Sequence, residues 1–142
     1  MAKIVFVDDE PDMLGTVKSV FTELGHEVFT AEDGKEGLRV ILEQEPDLAF
    51  VDVRLGGLKG MEVLRQVKAQ KPHLKIIIFT GFNDSQIDED AVKYGAVMCL
   101  HKPVGLQDLI NVIEKNTGHS TPRREFIPTR RSRRITVFHL VR

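Results

Sequence analysis

The sequence contains a single cysteine and no tryptophan among its 142 residues. Because Cys99 has no second thiol to pair with, an intrachain disulfide is excluded, and so is any zinc motif built from several cysteines. The five histidines show no spacing typical of metal ligands, so we expect surface positions for all of them: His26, His73, His101, His119 and His139. These absences exclude disulfide-stapled domains and cysteine-rich zinc domains.

Long apolar stretches are also absent. No charged segment followed by an apolar segment opens the chain, and no apolar run approaches the roughly 20 residues that a membrane helix needs. We therefore expect a cytoplasmic protein without a membrane partner. With 142 residues, of which 42% are hydrophobic, the chain has the length of one ordinary domain built around one core.

Opposite charges are concentrated in different parts of the chain, although the net charge is only −1. Residues 1–116 hold 13 basic and 20 acidic side chains, whereas residues 117–142 hold seven arginines and one acid. We therefore predict a globular domain over residues 1–117 and an arginine-rich tail over residues 118–142. Such a tail is either disordered or docks onto a partner, and nucleic acid is expected as a partner only through it.

Short apolar runs alternate with segments of helical periodicity. Strand-like runs occupy residues 3–7, 27–31, 48–52, 75–80 and 97–100, and helical segments follow them at residues 11–24, 34–45, 61–71, 85–94 and 106–113. Parallel strands need long right-handed crossover connections, which these helices provide. Five strands alternating with five helices therefore predict a doubly wound α/β fold with one parallel sheet.

Reactive side chains end most of the strand-like runs. Asp8 and Asp9 follow the first run, Asp52 ends the third, Thr80 ends the fourth and Lys102 follows the fifth. The carboxyl ends of parallel strands share one edge of the sheet, so these groups should meet there. Two carboxylates about 4 Å apart repel each other by roughly 4 kcal/mol at an effective dielectric constant near 20. Three of them need a cation besides Lys102, and an all-oxygen ligand set favours Mg²⁺ and phosphoryl chemistry.

Each of these residues alone also has an ordinary structural interpretation. Asp8 or Asp9 can cap the helix that follows, Thr80 can be a turn residue, and Lys102 can be solvated. Their joint arrangement at the ends of successive strands is what favours a functional site.

The same residues resemble the motif set of the response-regulator receiver domain, over residues 3–116. The acidic pair of that family matches Asp8 and Asp9, its phosphoacceptor matches Asp52, its hydroxyl residue matches Thr80, and its Lys-Pro pair matches Lys102 and Pro103. The resemblance implies a flavodoxin-like sheet with strand order 2-1-3-4-5. It also implies a two-component phosphorelay, in which a sensor histidine kinase or a phosphotransfer protein is the donor and an unknown effector protein is regulated.

The resemblance further implies a role for each site residue. Asp52 would be the phosphoacceptor, Lys102 would pair with the phosphoryl charge, and Thr80 would donate a hydrogen bond to it. Mg²⁺ would be held by Asp8 (mainly through water), Asp9, Asp52 and the backbone carbonyl of Arg54. The protein would be a substrate that promotes its own phosphorylation and dephosphorylation, and not an enzyme.

Four residues depart from the pattern of that family. Leu55 and Gly56 stand where the family usually has a Met-Pro pair, and Lys59 stands where an acid commonly precedes the next glycine. Cys99 stands where the family usually has an aromatic residue. Because a thiol is far smaller than an aromatic ring, we expect a smaller conformational change on the surface of the fourth helix, fifth strand and fifth helix.

Three other classes of function compete with this interpretation. A small phosphatase of the haloacid dehalogenase type also uses an aspartyl nucleophile, but its D-x-D-x-T pattern ends the first strand and does not match residues 8–12. A nucleotide-binding module needs a G-x-G-x-x-G or Walker pattern, which Gly56, Gly57 and Gly60 do not form. Nucleic-acid binding depends only on the arginine-rich tail.

Overall fold

The computed structural model describes residues 1–81 and 85–118. The strands are β1 (Lys3–Val7), β2 (Glu27–Ala31), β3 (Leu48–Asp52), β4 (Ile76–Thr80) and β5 (Met98–His101). The helices are α1 (Pro11–Glu23), α2 (Gly34–Gln44), α3 (Gly60–Gln70), α4 (Ser85–Lys93) and α5 (Leu106–Thr117). Over the residues described, none of these helices combines the length and the apolar character that crossing a membrane requires.

The five strands form one parallel sheet in the order β2-β1-β3-β4-β5. Its register places Val5 of β1 beside Ala49 of β3, and Asp52 of β3 beside Phe79 of β4. Every residue of β3 and β4 is buried, because helices cover both faces of the sheet. The predicted doubly wound α/β fold, its flavodoxin-like strand order and its five helices are therefore confirmed.

Alternate residues of the central strands enter two separate apolar layers. Phe6, Phe50 and Phe79 face α1 and α5, where their rings stack with successive centroids 4.7 and 5.3 Å apart. Val51 and Ile78 belong to the opposite layer, which α2 and α3 cover. Full burial of one such side chain stabilises the fold by roughly 1.5–3 kcal/mol. The two layers together fix where each strand ends.

Two glycines allow helices and loops to approach the carboxyl edge of the sheet. A Cβ atom at Gly60, the first residue of α3, would overlap the backbone oxygen of Asp52. A Cβ atom at Gly34, the first residue of α2, would overlap the backbone oxygen of Leu58. The loop between β3 and α3 therefore packs closely only because these positions lack side chains.

Several element boundaries differ by one or two residues from those expected from the sequence. β5 spans Met98–His101, one residue later than predicted, so that His101 is part of the strand. α2 ends at Gln44, and Glu45 is left-handed with φ at 46°. Because the residue before Pro46 avoids the right-handed helical region, the helix ends before it. Beyond Gly118, the predicted arginine-rich tail lies outside the described residues.

The prediction of surface positions is wrong for one histidine, His26, which is 5% exposed. Its Nδ1 accepts a hydrogen bond from the backbone N–H of Ala2 (3.1 Å), and its ring packs against Phe21. His26 lies in the turn between α1 and β2, and the docking of α1 encloses it, which sequence periodicity does not report. His73 and His101 are exposed as predicted, whereas His119 and His139 lie outside the described residues.

Gly15 and Gly60 should respond in opposite ways to alanine. A Cβ at Gly15, inside α1, meets no atom within 4 Å, so Gly15→Ala should raise the free energy of unfolding by roughly 0.5–1 kcal/mol. Gly60→Ala should lower it by roughly 1–3 kcal/mol, because the backbone must move to admit the methyl group. Urea unfolding followed by circular dichroism measures both changes. Shifts of the same sign in the two variants would contradict the packing of α3 on β3.

Candidate functional site

The ammonium group of Lys102 lies between two carboxylates at the carboxyl edge of the sheet. Its Nζ atom is 2.7 Å from Oδ2 of Asp8 and 2.7 Å from Oδ2 of Asp52. The Lys102 side chain is 1% exposed and that of Asp8 is 0% exposed. Charge-assisted hydrogen bonds of this length are roughly twice as strong as neutral ones. Lys102 therefore links the carboxyl ends of β1 and β3 to the segment that follows β5.

Backbone N–H groups orient the two carboxylates. The N–H of Arg54 donates to Oδ1 of Asp52 at 2.8 Å, and the N–H of Glu10 donates to Oδ1 of Asp8 at 3.1 Å. Each bond joins an aspartate to the residue two positions later, as in an Asx turn. One oxygen of each carboxylate is thus held by its own loop, and the other oxygen is held by Lys102.

Thr80 is fully buried at the end of β4 and aligns the two neighbouring strands. Its backbone carbonyl accepts a hydrogen bond from the N–H of Lys102 at 2.8 Å. The carbonyl of Phe79, one residue earlier, accepts a hydrogen bond from the N–H of Val53 at 2.9 Å. β4 therefore sets the position of the segment carrying Lys102 relative to the end of β3.

Burial raises the pKa of Asp8 from 3.8 to about 7; the Asp52 charge adds to this rise, and the hydrogen bond from Lys102 opposes it. Burial alone would lower the pKa of Lys102, but its hydrogen bonds to Asp52 and Asp8 outweigh burial and raise it. The ammonium therefore stays charged at neutral pH, whereas Asp8 is partly protonated. One ammonium does not fully compensate the buried carboxylates, so the site favours a further positive charge.

A third carboxylate completes an acidic cluster, which consists of Asp8, Asp9 and Asp52. One carboxylate oxygen from each residue lies within 4.8 Å of the others. Asp9 is exposed, whereas the other two are buried, so the cluster can be reached from solvent. An oxygen-only donor set fits a hard cation such as Mg²⁺ better than metals that prefer nitrogen or sulfur. The acidic cluster could therefore hold a metal ion.

A cleft of about 440 Å³ opens beside Asp9. It is lined by Asp9, Val53, Arg54, Leu55, Gly56 and Lys59. Arg54 and Lys59 are exposed cations at this cleft, while the acidic cluster lies next to it. Lys59, one of the departures from the family pattern, therefore places a second positive charge at this cleft.

The structure brings four predicted site residues together: Asp8, Asp9, Asp52 and Lys102. Thr80 lies at the same edge, joined to Lys102 through the backbone. The N–H of Arg54 is a partner of Asp52 that the sequence did not predict, since only the backbone carbonyl of Arg54 was expected at the site. An aspartate that ends a strand and begins a glycine-rich loop is the signal for such a turn.

The sequence has clear relatives. Residues 4–114 match the family described as response regulator receiver domain. Sporulation initiation phosphotransferase F of Bacillus subtilis (strain 168) is 26% identical over 113 residues, which cover 80% of this chain and 91% of that protein. Transcriptional regulatory protein GlrR of Escherichia coli (strain K12) is 32% identical over 121 residues, which cover 85% of this chain but only 27% of that longer protein.

Solved structures show the same likeness. A response regulator receiver domain protein from Clostridium thermocellum is 38% identical with a TM-score of 0.77, over 83% of this chain and 95% of that one. A CheY-like receiver domain protein from Methanospirillum hungatei JF-1 is 29% identical with a TM-score of 0.79, over 83% of this chain and 94% of that one. The chain belongs to the response regulator receiver domain family and is a receiver domain of two-component signalling.

Asp8→Asn should reduce the pH dependence of stability. Between pH 3.8 and about 7 the folded protein holds a proton on Asp8 that the unfolded chain has released. The free energy of unfolding therefore falls as the pH rises through this window, and it levels off above it. In the presence of EDTA we expect a fall of roughly 1–3 kcal/mol between about pH 5 and pH 8.

Urea unfolding in EDTA at the two pH values measures this fall. Asp8→Asn should reduce it, whereas Asp12→Asn, a change at an exposed aspartate of α1, should leave it as in the wild type. An equal pH dependence in the wild type and Asp8→Asn would contradict the raised pKa of Asp8.

Proposed function

We propose that Asp52 accepts a phosphoryl group from a phosphohistidine of a sensor histidine kinase or a phosphotransfer protein. The phosphorylated protein then changes conformation and regulates an effector protein in the cytoplasm. The observation that carries this proposal is the pairing of the buried Asp52 carboxylate with Lys102 beside the acidic cluster and its open cleft. A carboxylate with only a structural role would need neither the cleft nor the neighbouring acids.

Asp52 is held in position for nucleophilic attack. Its Oδ1 accepts a hydrogen bond from the N–H of Arg54, and its Oδ2 accepts one from the ammonium of Lys102. The carboxylate therefore cannot rotate freely. A carboxylate oxygen would form a bond to phosphorus while the bond between phosphorus and the donor imidazole nitrogen breaks. The imidazole leaves with the bonding electrons, and the product on Asp52 is an acyl phosphate.

Lys102 and Thr80 would stabilise that product. A phosphoryl group carries about −1.5 to −2 charges at neutral pH if it resembles phosphoserine. The Lys102 ammonium, which Asp8 and Asp52 now share, would gain a stronger partner on Asp52. Thr80 would donate a hydrogen bond from its hydroxyl to a phosphoryl oxygen. Because the carbonyl of Thr80 also binds the N–H of Lys102, both contacts would act on the segment after β5.

The acidic cluster would hold Mg²⁺ together with the backbone carbonyl of Arg54, and Asp8 would act mainly through a bound water. When bound, Mg²⁺ would neutralise charge on the carboxylates and on the phosphoryl oxygens. The raised pKa of Asp8 supports this assignment, because the pocket disfavours a second negative charge in the absence of a further cation. Asp9, as the exposed member, would receive the ion from solvent.

Under this proposal the protein is a phosphorylation substrate that promotes its own phosphorylation and dephosphorylation, and not an enzyme. One relative is named sporulation initiation phosphotransferase F. Onward transfer of the phosphoryl group from Asp52 to a second protein should therefore be measured as well. A haloacid dehalogenase-type phosphatase is disfavoured because Asp52 ends β3, whereas that mechanism needs its nucleophile at the end of the first strand. The alternative of nucleic-acid binding is based only on the arginine-rich tail, whose arginines lie outside the described residues.

Asp52 should become phosphorylated only when Mg²⁺ is present. Incubation with a small phosphodonor such as phosphoramidate should add one phosphoryl group, seen by intact mass, and EDTA should abolish the addition. Asp52→Asn should not be labelled, because the amide is not a nucleophile, whereas the exposed-site control Asp12→Asn should be labelled like the wild type. Labelling of Asp52→Asn, or labelling that persists in EDTA, would contradict the proposal.

Residues 119–142 should be dispensable for phosphorylation. A chain that ends at Gly118, the residue that terminates α5, should fold with the circular dichroism spectrum expected of the α/β domain and should be labelled at the full-length rate. The physical reason is that, within the part of the chain that the structure describes, the buried residues of both apolar layers lie between Ala2 and Ile113. Loss of folding or labelling in the shortened chain would show that the arginine-rich tail belongs to the domain.

A further inference from the structure

A second group of metal-ligand side chains lies where α4 packs on β5, and it shares no residue with the acidic cluster. One ligand atom each from Asp88, Cys99 and His101 lies within 4.8 Å of the others; we call these three residues the thiol–imidazole cluster. Cys99 and His101 are two positions apart on β5, so they extend from the same face of the strand. Asp88 reaches them from the first turn of α4.

We propose that the thiol–imidazole cluster binds Zn²⁺ through a carboxylate oxygen of Asp88, the Sγ atom of Cys99 and a ring nitrogen of His101. Thiolate, imidazole and carboxylate are the three kinds of side chain that bind zinc in proteins. A mixed sulfur, nitrogen and oxygen set suits Zn²⁺ much better than Mg²⁺ or Ca²⁺. With three protein ligands, the fourth tetrahedral position remains open to water.

One oxygen of Asp88 supports this assignment. Its Oδ1 atom is shielded from solvent and accepts no hydrogen bond of normal geometry within the described residues. Nε2 of His101 lies only 2.8 Å from that oxygen. Because this oxygen and the imidazole nitrogen already lie side by side, a cation could bond to both atoms once the two side chains separate slightly.

Zinc binding would exchange a proton for the metal. Formation of the zinc–sulfur bond replaces the S–H bond of Cys99, and the proton passes to solvent. The exchange involves no oxidation or reduction.

The spacing of the three ligands requires only small side-chain movements. With zinc–ligand bonds of about 2.0–2.3 Å, ligand atoms in a tetrahedral site are about 3.3–3.6 Å apart. The three atoms already lie within 4.8 Å of one another. The side chains of His101 and Asp88 are 39% and 45% exposed, so an ion can enter from solvent.

Cobalt provides a direct spectroscopic test on the full-length protein. Cys99 is the only cysteine of the chain, so a thiolate-to-cobalt charge-transfer band in the near ultraviolet reports this residue alone. With Mg²⁺ in excess to occupy the acidic cluster, titration with Co²⁺ should produce the band, which should saturate at one ion per chain. Added Zn²⁺ should displace the cobalt and remove the band.

Single substitutions test each ligand. Zinc affinity is measured in competition with a chromophoric chelator. We expect it to fall by about tenfold to 100-fold or more in each of three variants: Cys99→Ala, His101→Asn and Asp88→Asn. Glu89→Gln is the matched control, because Glu89 is an exposed acid of α4 outside the cluster, and it should bind zinc like the wild type.

Three results would overturn the proposal: no cobalt band in the wild type, zinc affinity that all three ligand substitutions leave unchanged, or a band that needs two chains per cobalt ion. The wild-type cobalt spectrum requires no variant, so it decides the question even where a substitution impairs folding.

Discussion

The ammonium group of Lys102 holds the carboxyl edge of the sheet together. It compensates two carboxylates that come from distant parts of the chain: Asp8 directly follows the first strand, and Asp52 ends the third. Removing one partner from a buried ion pair costs about 3–5 kcal/mol, because it leaves an uncompensated charge. Even with Lys102 in place the compensation is incomplete, as the raised pKa of Asp8 indicates. This remaining imbalance favours a further cation at the edge of the sheet, where the acidic cluster could hold a metal ion.

The parallel sheet supplies the rigidity that this contact requires. Stacked phenylalanines on one face and branched aliphatic side chains on the other bury β3 and β4 completely, so the strand ends cannot shift independently. Gly60 then lets α3 begin directly against the backbone of Asp52. At the other end of the site, Thr80 pairs with His101 across β4 and β5, directly before Lys102. The proposed phosphoryl site and the proposed zinc site are therefore connected through one strand end.

Much of the fold and the meeting of the acidic cluster with Lys102 follow from the sequence, because each strand is a short apolar run and Asp8, Asp9, Asp52 and Lys102 stand where such runs end. The burial of His26 does not follow, since it results from the docking of α1 over a turn. The meeting of Asp88 with Cys99 and His101 does not follow either. It depends on the extension of β5 to His101 and on the packing of α4. A search for repeated histidines or cysteines also does not detect a site that is built from three different kinds of ligand.

We propose that Asp52 is the residue that carries the phosphoryl group. Borohydride reduction of the protein after treatment with a phosphodonor and Mg²⁺, followed by peptide mass spectrometry, tests it most directly, because reduction converts an aspartyl phosphate into homoserine. We expect homoserine at position 52 and at no other aspartate. Homoserine at Asp8 or Asp9, or none at all in protein that has gained a phosphoryl group, would contradict it.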